Sequence, residues 1–282
     1  MHRFERAIRK LIPSTPILSR SSWFYPLSRG IDLTVGAAAR HLIGGIIPPV
    51  RYIVRTGTNN NTITPQISFM LHGYNYWLHK FADGTADLNS SIVDIGCGCG
   101  KLAAALRDYD FHGDRFRGHY YGFDADREMI EWCQRYFPPD HFTFVHVNPK
   151  SSVYNPDGSV LQVKREPCRD SSVDLAISNS LFSHLLIGDI QNYLKESFRV
   201  LRPGGKIFMT FFCIDDLRTL GLLGGRWTFE HRIGSAYVEN IHYPEAAVGY
   251  DKAVMTKMCK EAGFSSVDVI LPGHQSSLVC VK

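Results

Sequence analysis

The sequence predicts an α/β chain built on a mainly parallel sheet with helices on both faces. The first observation is alternation. From residue 91 onward, strand-like runs at 91–95, 119–123, 142–147, 173–178 and 205–212 are separated by helix-like stretches at 100–109, 126–136 and 189–201. Strands separated by helices run parallel, because each crossover returns the chain to the same end of the sheet. The second observation is where the first strand stops. The apolar run Ile92, Val93, Ile95 ends at three alternating glycines, Gly96, Gly98 and Gly100, and opens into the helix-prone Lys101-Leu102-Ala103-Ala104-Ala105-Leu106. Strand, tight loop and helix start together read as a nucleotide-binding turn. Glycine reaches dihedrals barred to other residues, and its missing Cβ lets a ligand lie against the backbone.

The spacing narrows the nucleotide. A dinucleotide turn needs G-x-G-x-x-G, which would put the third glycine at Lys101, and a P-loop needs a hydroxyl where Leu102 stands. Asp94-x-Gly96-x-Gly98-x-Gly100 instead resembles the first motif of class I S-adenosylmethionine-dependent methyltransferases. Tyr120-Tyr121-Gly122-Phe123-Asp124 resembles that family's second strand with its terminal carboxylate. Arg199-Val200-Leu201-Arg202-Pro203-Gly204-Gly205-Lys206 resembles the turn before its fifth strand. The resemblance covers residues 90–282 well and the first 90 poorly. It implies a Rossmann-like, doubly wound, seven-stranded, mainly parallel sheet with a C-terminal antiparallel strand and an N-terminal helical cap. On that plan residues 1–89 are the cap or lid, and residues 90–282 are the core with insertions at 148–167 and 214–250. A helix near 250–261 ends at Gly263, and the last strands, Val267 to Leu271 and Ser277 to Val281, form an edge hairpin.

The resemblance also implies S-adenosyl-L-methionine as cofactor. Its methionine part would lie on Gly96, Cys97, Gly98 and Gly100, with Asp94 on its amino group and Asp124 and Ala125 at the ribose. A carboxylate has two oxygens to offer a vicinal diol. Asn148 either reaches the adenine edge or makes an ordinary turn, and Asn179 and Ser180 lie between donor and acceptor. Cys97 and Cys99 would contribute backbone rather than thiols. Methyl transfer from a sulfonium is an in-line displacement, so a base is needed only for a poor nucleophile such as a hydroxyl. His184 is the candidate base, with Glu230, His231, His242 and Tyr250 as rivals and pocket shaping as its bland role. Substrate contacts are expected from Tyr74, Trp77, Trp227, His231 and Tyr250, although the aromatic run 69–81 reads first as core packing and second as a lid over the donor and acceptor sites.

Composition bounds the rest. A formal charge of +4, from 31 basic and 27 acidic residues, gives no basic track for nucleic acid. Asn179-Ser180-Leu181-Phe182 departs from the motif that base-methylating relatives carry after the fourth strand. Seven cysteines, an odd number with two in the glycine loop, favour a reducing, cytoplasmic compartment. Cys97-x-Cys99 lacks metal-site spacing and no metal is expected. Phe4, Ile8, Leu11 and Ile12 at helical spacing among Arg3, Arg6, Arg9 and Lys10 mark a short basic amphipathic helix, which packs on the core or rests peripherally on a membrane. The expected activity is O-methylation of a small organic or sugar-containing (glycan) acceptor. The alternatives are N- or C-methylation of a lipid-linked or quinone-like acceptor, and a non-catalytic donor-binding module.

Overall fold

The computed structural model describes residues 30, 33–34, 38, 41, 46–56, 65–149, 151, 158, 166–225, 227–270 and 274–282. The basic helix expected over residues 4–12, most of the polar run 56–64 and the turn at 154–157 lie outside the described residues.

Five parallel strands form the centre: β1 (Ser91–Ile95), β2 (His119–Asp124), β3 (Phe142–His146), β4 (Val173–Ser178) and β5 (Leu201–Cys213). Their order is β3-β2-β1-β4-β5, so the winding reverses between β1 and β4. Two C-terminal strands, β9 (Ser266–Ile270) and β10 (Ser276–Val281), form the expected hairpin, with β10 antiparallel to β5. β1 and β4 are almost wholly buried because helices cover both their faces, which is why they read as apolar runs rather than alternating ones.

The two faces have separate cores. Ile92, Leu175 and Ile177 pack under α1 (Val50–Arg55), α2 (Pro65–Ala82), α3 (Lys101–Asp108) and α4 (Arg127–Tyr136). Val93, Ile95 and Ala176 pack under α5 (Ile187–Val200) and, with Leu278, α7 (Lys252–Ala262). Successive side chains of one strand point to opposite faces, so neighbours in sequence belong to different cores.

Helix α2 corrects two expectations. Trp77 is fully buried and its indole N–H donates to the Leu102 carbonyl at 2.8 Å. Tyr74 stacks on Phe111 and lies 4.6 Å, ring to ring, from Tyr109. Trp77 thus packs α2 on α3, and Tyr74 packs it on the segment that follows α3, so both are packing residues rather than substrate contacts. A Cβ on Gly73 would come within 2.6 Å of the Lys101 carbonyl, so this glycine lets the helices approach.

β5 begins earlier than the sequence suggests. Leu201 pairs with Val173 and Lys206 with Leu175, so residues 202–205 bulge out of register, turning through Gly204 at φ 80°. After β5 the second insertion carries α6 (Ile214–Thr219) and three short strands, β6 (His231–Ile233), β7 (Ala236–Val238) and β8 (Val248–Tyr250). β8 pairs with the end of β5 and seats this subsheet on the carboxyl edge.

Candidate active site

Ligands of an open parallel sheet bind beyond the carboxyl ends of the strands where the winding reverses. There the three glycines adopt φ 80°, 55° and 75° at Gly96, Gly98 and Gly100. All three are in the left-handed region, which accounts for their residue type. The space a Cβ would take is filled by the protein itself: Leu181 above Gly96, Thr56 within 2.6 Å at Gly98, and Phe137 and Cys133 at Gly100.

The loop is held from β2. The Gly96 and Cys97 amides donate to the Phe123 carbonyl. Asp124 accepts the Gly98 amide on Oδ2 and the Asp126 amide on Oδ1, each at 2.8 Å. Burial raises the Asp124 pKa, and these amide hydrogen bonds oppose the rise. An ionised carboxylate has about four acceptor positions, so beside the Gly98, Asp126 and Ala125 amides there is still room for a ribose hydroxyl. Asp126 in turn caps α4 through the Met129 amide. Ala125 lies beside β3, its carbonyl 3.2 Å from His146 Nε2, and Asn148 stands two residues past the end of β3.

Asp94 is buried and accepts the Tyr120 hydroxyl. Burial pushes its pKa up to about 7, with the Tyr120 hydrogen bond and Lys101 opposing and Asp124 adding to the rise. The Cys97 and Cys99 thiols are buried, and burial lifts that of Cys99 to about 12.

Sequence reasoning missed Arg55. Its side chain is 2% exposed and pairs with Asp126 at 3.2 Å and Glu128 at 2.8 Å. It thereby pins the end of α1, and Thr56, over the glycine loop. Asp126 is 71 positions downstream, so no sequence spacing could signal the pair.

On the β4 side, Ser178 donates to the Ile95 carbonyl, tying the two switch-point strands. Asn179 Nδ2 lies 3.2 Å from His72 Nε2. Ser180 has φ 69°, its amide donating to Thr210 Oγ1 and its hydroxyl to Gln275. His184 closes the following 3₁₀ turn, Phe182–His184, with Nδ1 2.9 Å from the Glu245 carbonyl. Burial lowers its pKa, while backbone groups of Glu245 and Ala246 pull the other way. Ser151, from the first insertion, donates to the Glu245 carboxylate. Glu245 therefore joins both insertions to the β4 turn.

The remaining expected contacts separate. Tyr250 is fully buried, its hydroxyl donating to the Leu185 carbonyl at 3.0 Å, which makes it a packing residue rather than a substrate contact or base. Trp227 packs against Phe212 and Phe229 inside the subsheet. His231, Glu230 and His242 are exposed on the second insertion. Among the described residues no three His, Cys, Asp or Glu side chains group as metal ligands.

Residues 93–209 match the family described as a methyltransferase domain. These residues form a class I S-adenosylmethionine-dependent methyltransferase domain. The cofactor of this domain is S-adenosyl-L-methionine, and the left-handed glycines and the Asp124 carboxylate at the ends of β1 and β2 fit it. Over 131 residues the chain is 25% identical to human arsenite methyltransferase, covering 43% of this chain and 30% of that protein. The mouse arsenite methyltransferase is 26% identical with the same coverage. The chain thus spans less than a third of the length of these curated relatives. A Pyrococcus horikoshii crystal structure shares the fold at TM-score 0.53, with 16% identity over 79% of this chain and 92% of that one.

Proposed function

We propose that the protein transfers a methyl group from S-adenosyl-L-methionine to a hydroxyl of a small organic or sugar-containing acceptor. The observation that carries the donor half is the pairing, at the ends of β1 and β2, of three left-handed glycines with the Asp124 carboxylate. When bound, the donor supplies an activated methyl on its sulfonium. The protein's task is then to hold the nucleophile in line, which can be worth roughly 7 to 11 kcal/mol. Asp94 would take the donor's ammonium, Asp124 its ribose and Asn148 its adenine edge, while Asn179 and Ser180 flank the reacting atoms.

For the acceptor, His184 is the base we favour. Of the candidates named from sequence it alone stands on the turn after β4, and its lowered pKa keeps it neutral at physiological pH, as a base must be. The second insertion, clasped at Glu245, would supply the acceptor walls. All seven cysteines are free and buried, which argues against a thiophilic arsenic acceptor like that named for the relatives. Residues 1–89, through Arg55 and α2, would serve as the cap, and the free thiols suit a cytoplasmic setting.

The test incubates the protein with methyl-labelled donor and panels of phenols, sugars, hydroxy acids, amines, thiols, quinols and arsenite. Label on oxygen, with His184→Ala losing at least a hundredfold in kcat but not S-adenosylhomocysteine affinity, is the expected result. Label on nitrogen, carbon or arsenic overturns the hydroxyl reading, and no label with any panel favours a binding module.

A further inference from the structure

Helix α2 carries a stripe whose outer end has no role so far. His72, Tyr76 and Lys80 are spaced four residues apart and share a face of the helix. Tyr76 meets the Phe208 ring edge-on with ring centres 6.1 Å apart, and the Lys80 ammonium lies 3.0 Å from the centre of the same ring. Phe208 pairs with Ile177 in β4, two residues short of Asn179. One turn nearer the helix N-terminus, His72 reaches just past the end of β4, where its Nε2 lies 3.2 Å from Asn179 Nδ2.

The turn it meets is already held elsewhere. Ser180 adopts φ 69°, a costly conformation for a residue with a Cβ, and each of its polar groups has a protein partner. Its amide donates to Thr210 Oγ1, its hydroxyl donates to Gln275 and its carbonyl accepts the Ser183 hydroxyl. Leu181 lies over Gly96, which sets the turn against the glycine loop. Asn179 is engaged on one side only. Its Nδ2 can only donate, so the His72 Nε2 that faces it is unprotonated and the neutral ring carries its proton on Nδ1. Desolvation, with the Lys101 charge second, lowers the His72 pKa to about 4 and keeps the ring neutral at physiological pH. The other branch of the amide, Asn179 Oδ1, has no hydrogen-bond partner among the described residues.

We propose that His72 is a positioning residue that acts through Asn179: by taking the Asn179 amide N–H, it turns the Asn179 carbonyl oxygen towards the acceptor. The site then receives a nucleophile that still carries its proton, an alcohol or phenol O–H, and disfavours one that has none, such as a carboxylate. The assignment rests on the hydroxyl reading above and deepens it. The carbonyl takes no proton, whose removal stays with His184. It fixes where the O–H bond points, so that a lone pair of the same oxygen is left for the methyl group. Without His72 the amide would be free to turn over and offer its N–H instead.

The experiment applies two readouts to wild type, His72→Ala, His72→Gln, Asn179→Ala and the His72→Ala/Asn179→Ala double variant. The first is nuclear magnetic resonance of isotope-labelled protein, which needs neither donor nor acceptor. A scalar coupling between Asn179 Nδ2 and His72 Nε2, with the imidazole protonated on Nδ1, is expected in the wild type. The second is methyl transfer to the alcohols, phenols and hydroxy acids of the panel. His72→Ala should lower kcat about 3- to 10-fold, the range for one hydrogen bond, with S-adenosylhomocysteine affinity within about twofold. His72→Gln, which can accept the same N–H, should recover most of the loss, and the double variant should be no slower than Asn179→Ala alone. Hydroxy acids should carry label on the hydroxyl and none on the carboxylate. A missing coupling, a protonated Nε2, or losses that add in the double variant would overturn the role of His72 while the hydroxyl reading stands. A methyl ester formed on a hydroxy acid would overturn the selection of a protic nucleophile. If no hydroxyl compound takes label, the hydroxyl reading falls and takes the assignment with it, whatever the coupling shows.

Discussion

Asp94 is a buried carboxylate in the first strand, and its protonation should govern how strongly the donor binds. The groups facing it are Tyr120, which donates to it, Tyr76, Asp124, which raises its pKa, and Lys101, which lowers it. With a pKa of about 7, the carboxyl at pH 6 is protonated roughly ten times more often than ionised. A donor ammonium needs the ionised form, so apparent affinity should be about tenfold weaker at pH 6 than at pH 8, or ~1.4 kcal/mol. Binding at pH 6 should also release close to one proton, measured as a difference in calorimetric heat between two buffers of unlike ionisation enthalpy. In Asp94→Asn the rise and the proton release should both vanish. The same shift fixes a stability trend without ligand. Because the folded pKa lies above the ordinary 3.8, the stabilisation from this group is full below about pH 4 and is lost as pH rises through 7. The loss is on the order of 4 kcal/mol. A wild-type affinity that changes less than about twofold between pH 6 and 8, with no proton released, would refute the reasoning.

Trp77→Ala should cost about 3 to 5 kcal/mol in chemical denaturation, as for a large buried aromatic, with donor affinity nearly unchanged in the folded fraction. A substrate contact would show the opposite pattern. Gly98→Ala forces a side chain into φ 55° and onto the Thr56 methyl, and should weaken S-adenosylhomocysteine binding at least tenfold, by roughly 1.4 kcal/mol or more. Arg55→Ala removes the pin between α1 and α4, and hydrogen exchange over residues 46–56 should quicken at least tenfold while the β1 amides stay protected. Glu166 is buried with its pKa raised to about 8, first by burial and then by Glu196. Stability from it is therefore present below pH 4.5 and lost as pH rises through 8, and Glu166→Gln should flatten the thermal midpoint profile over that window.

The core was legible where one physical demand fixes the residue type. Three glycines at alternate positions mark three left-handed turns, and the apolar runs of β1 and β4 mark strands covered on both faces. The face of a helix or strand was harder. The aromatic run of α2 gave no way to tell inward Trp77 from solvent-facing neighbours, and Tyr250 looked free until β8 placed its ring in the core. Strands of three residues, as in the second insertion, are too short for alternation to register. Arg55 was invisible because its partners are distant in sequence.

The central claim is that the loop from Gly96 to Gly100, with Asp124, receives an S-adenosyl donor. Calorimetric titration of the wild type and Asp124→Ala with S-adenosylmethionine, S-adenosylhomocysteine and NAD tests it most directly. Saturable one-to-one binding of the two adenosyl ligands alone, lost or weakened at least a hundredfold in the variant, is the predicted result. Binding of NAD in their place, or adenosyl binding that survives intact in Asp124→Ala, would contradict it.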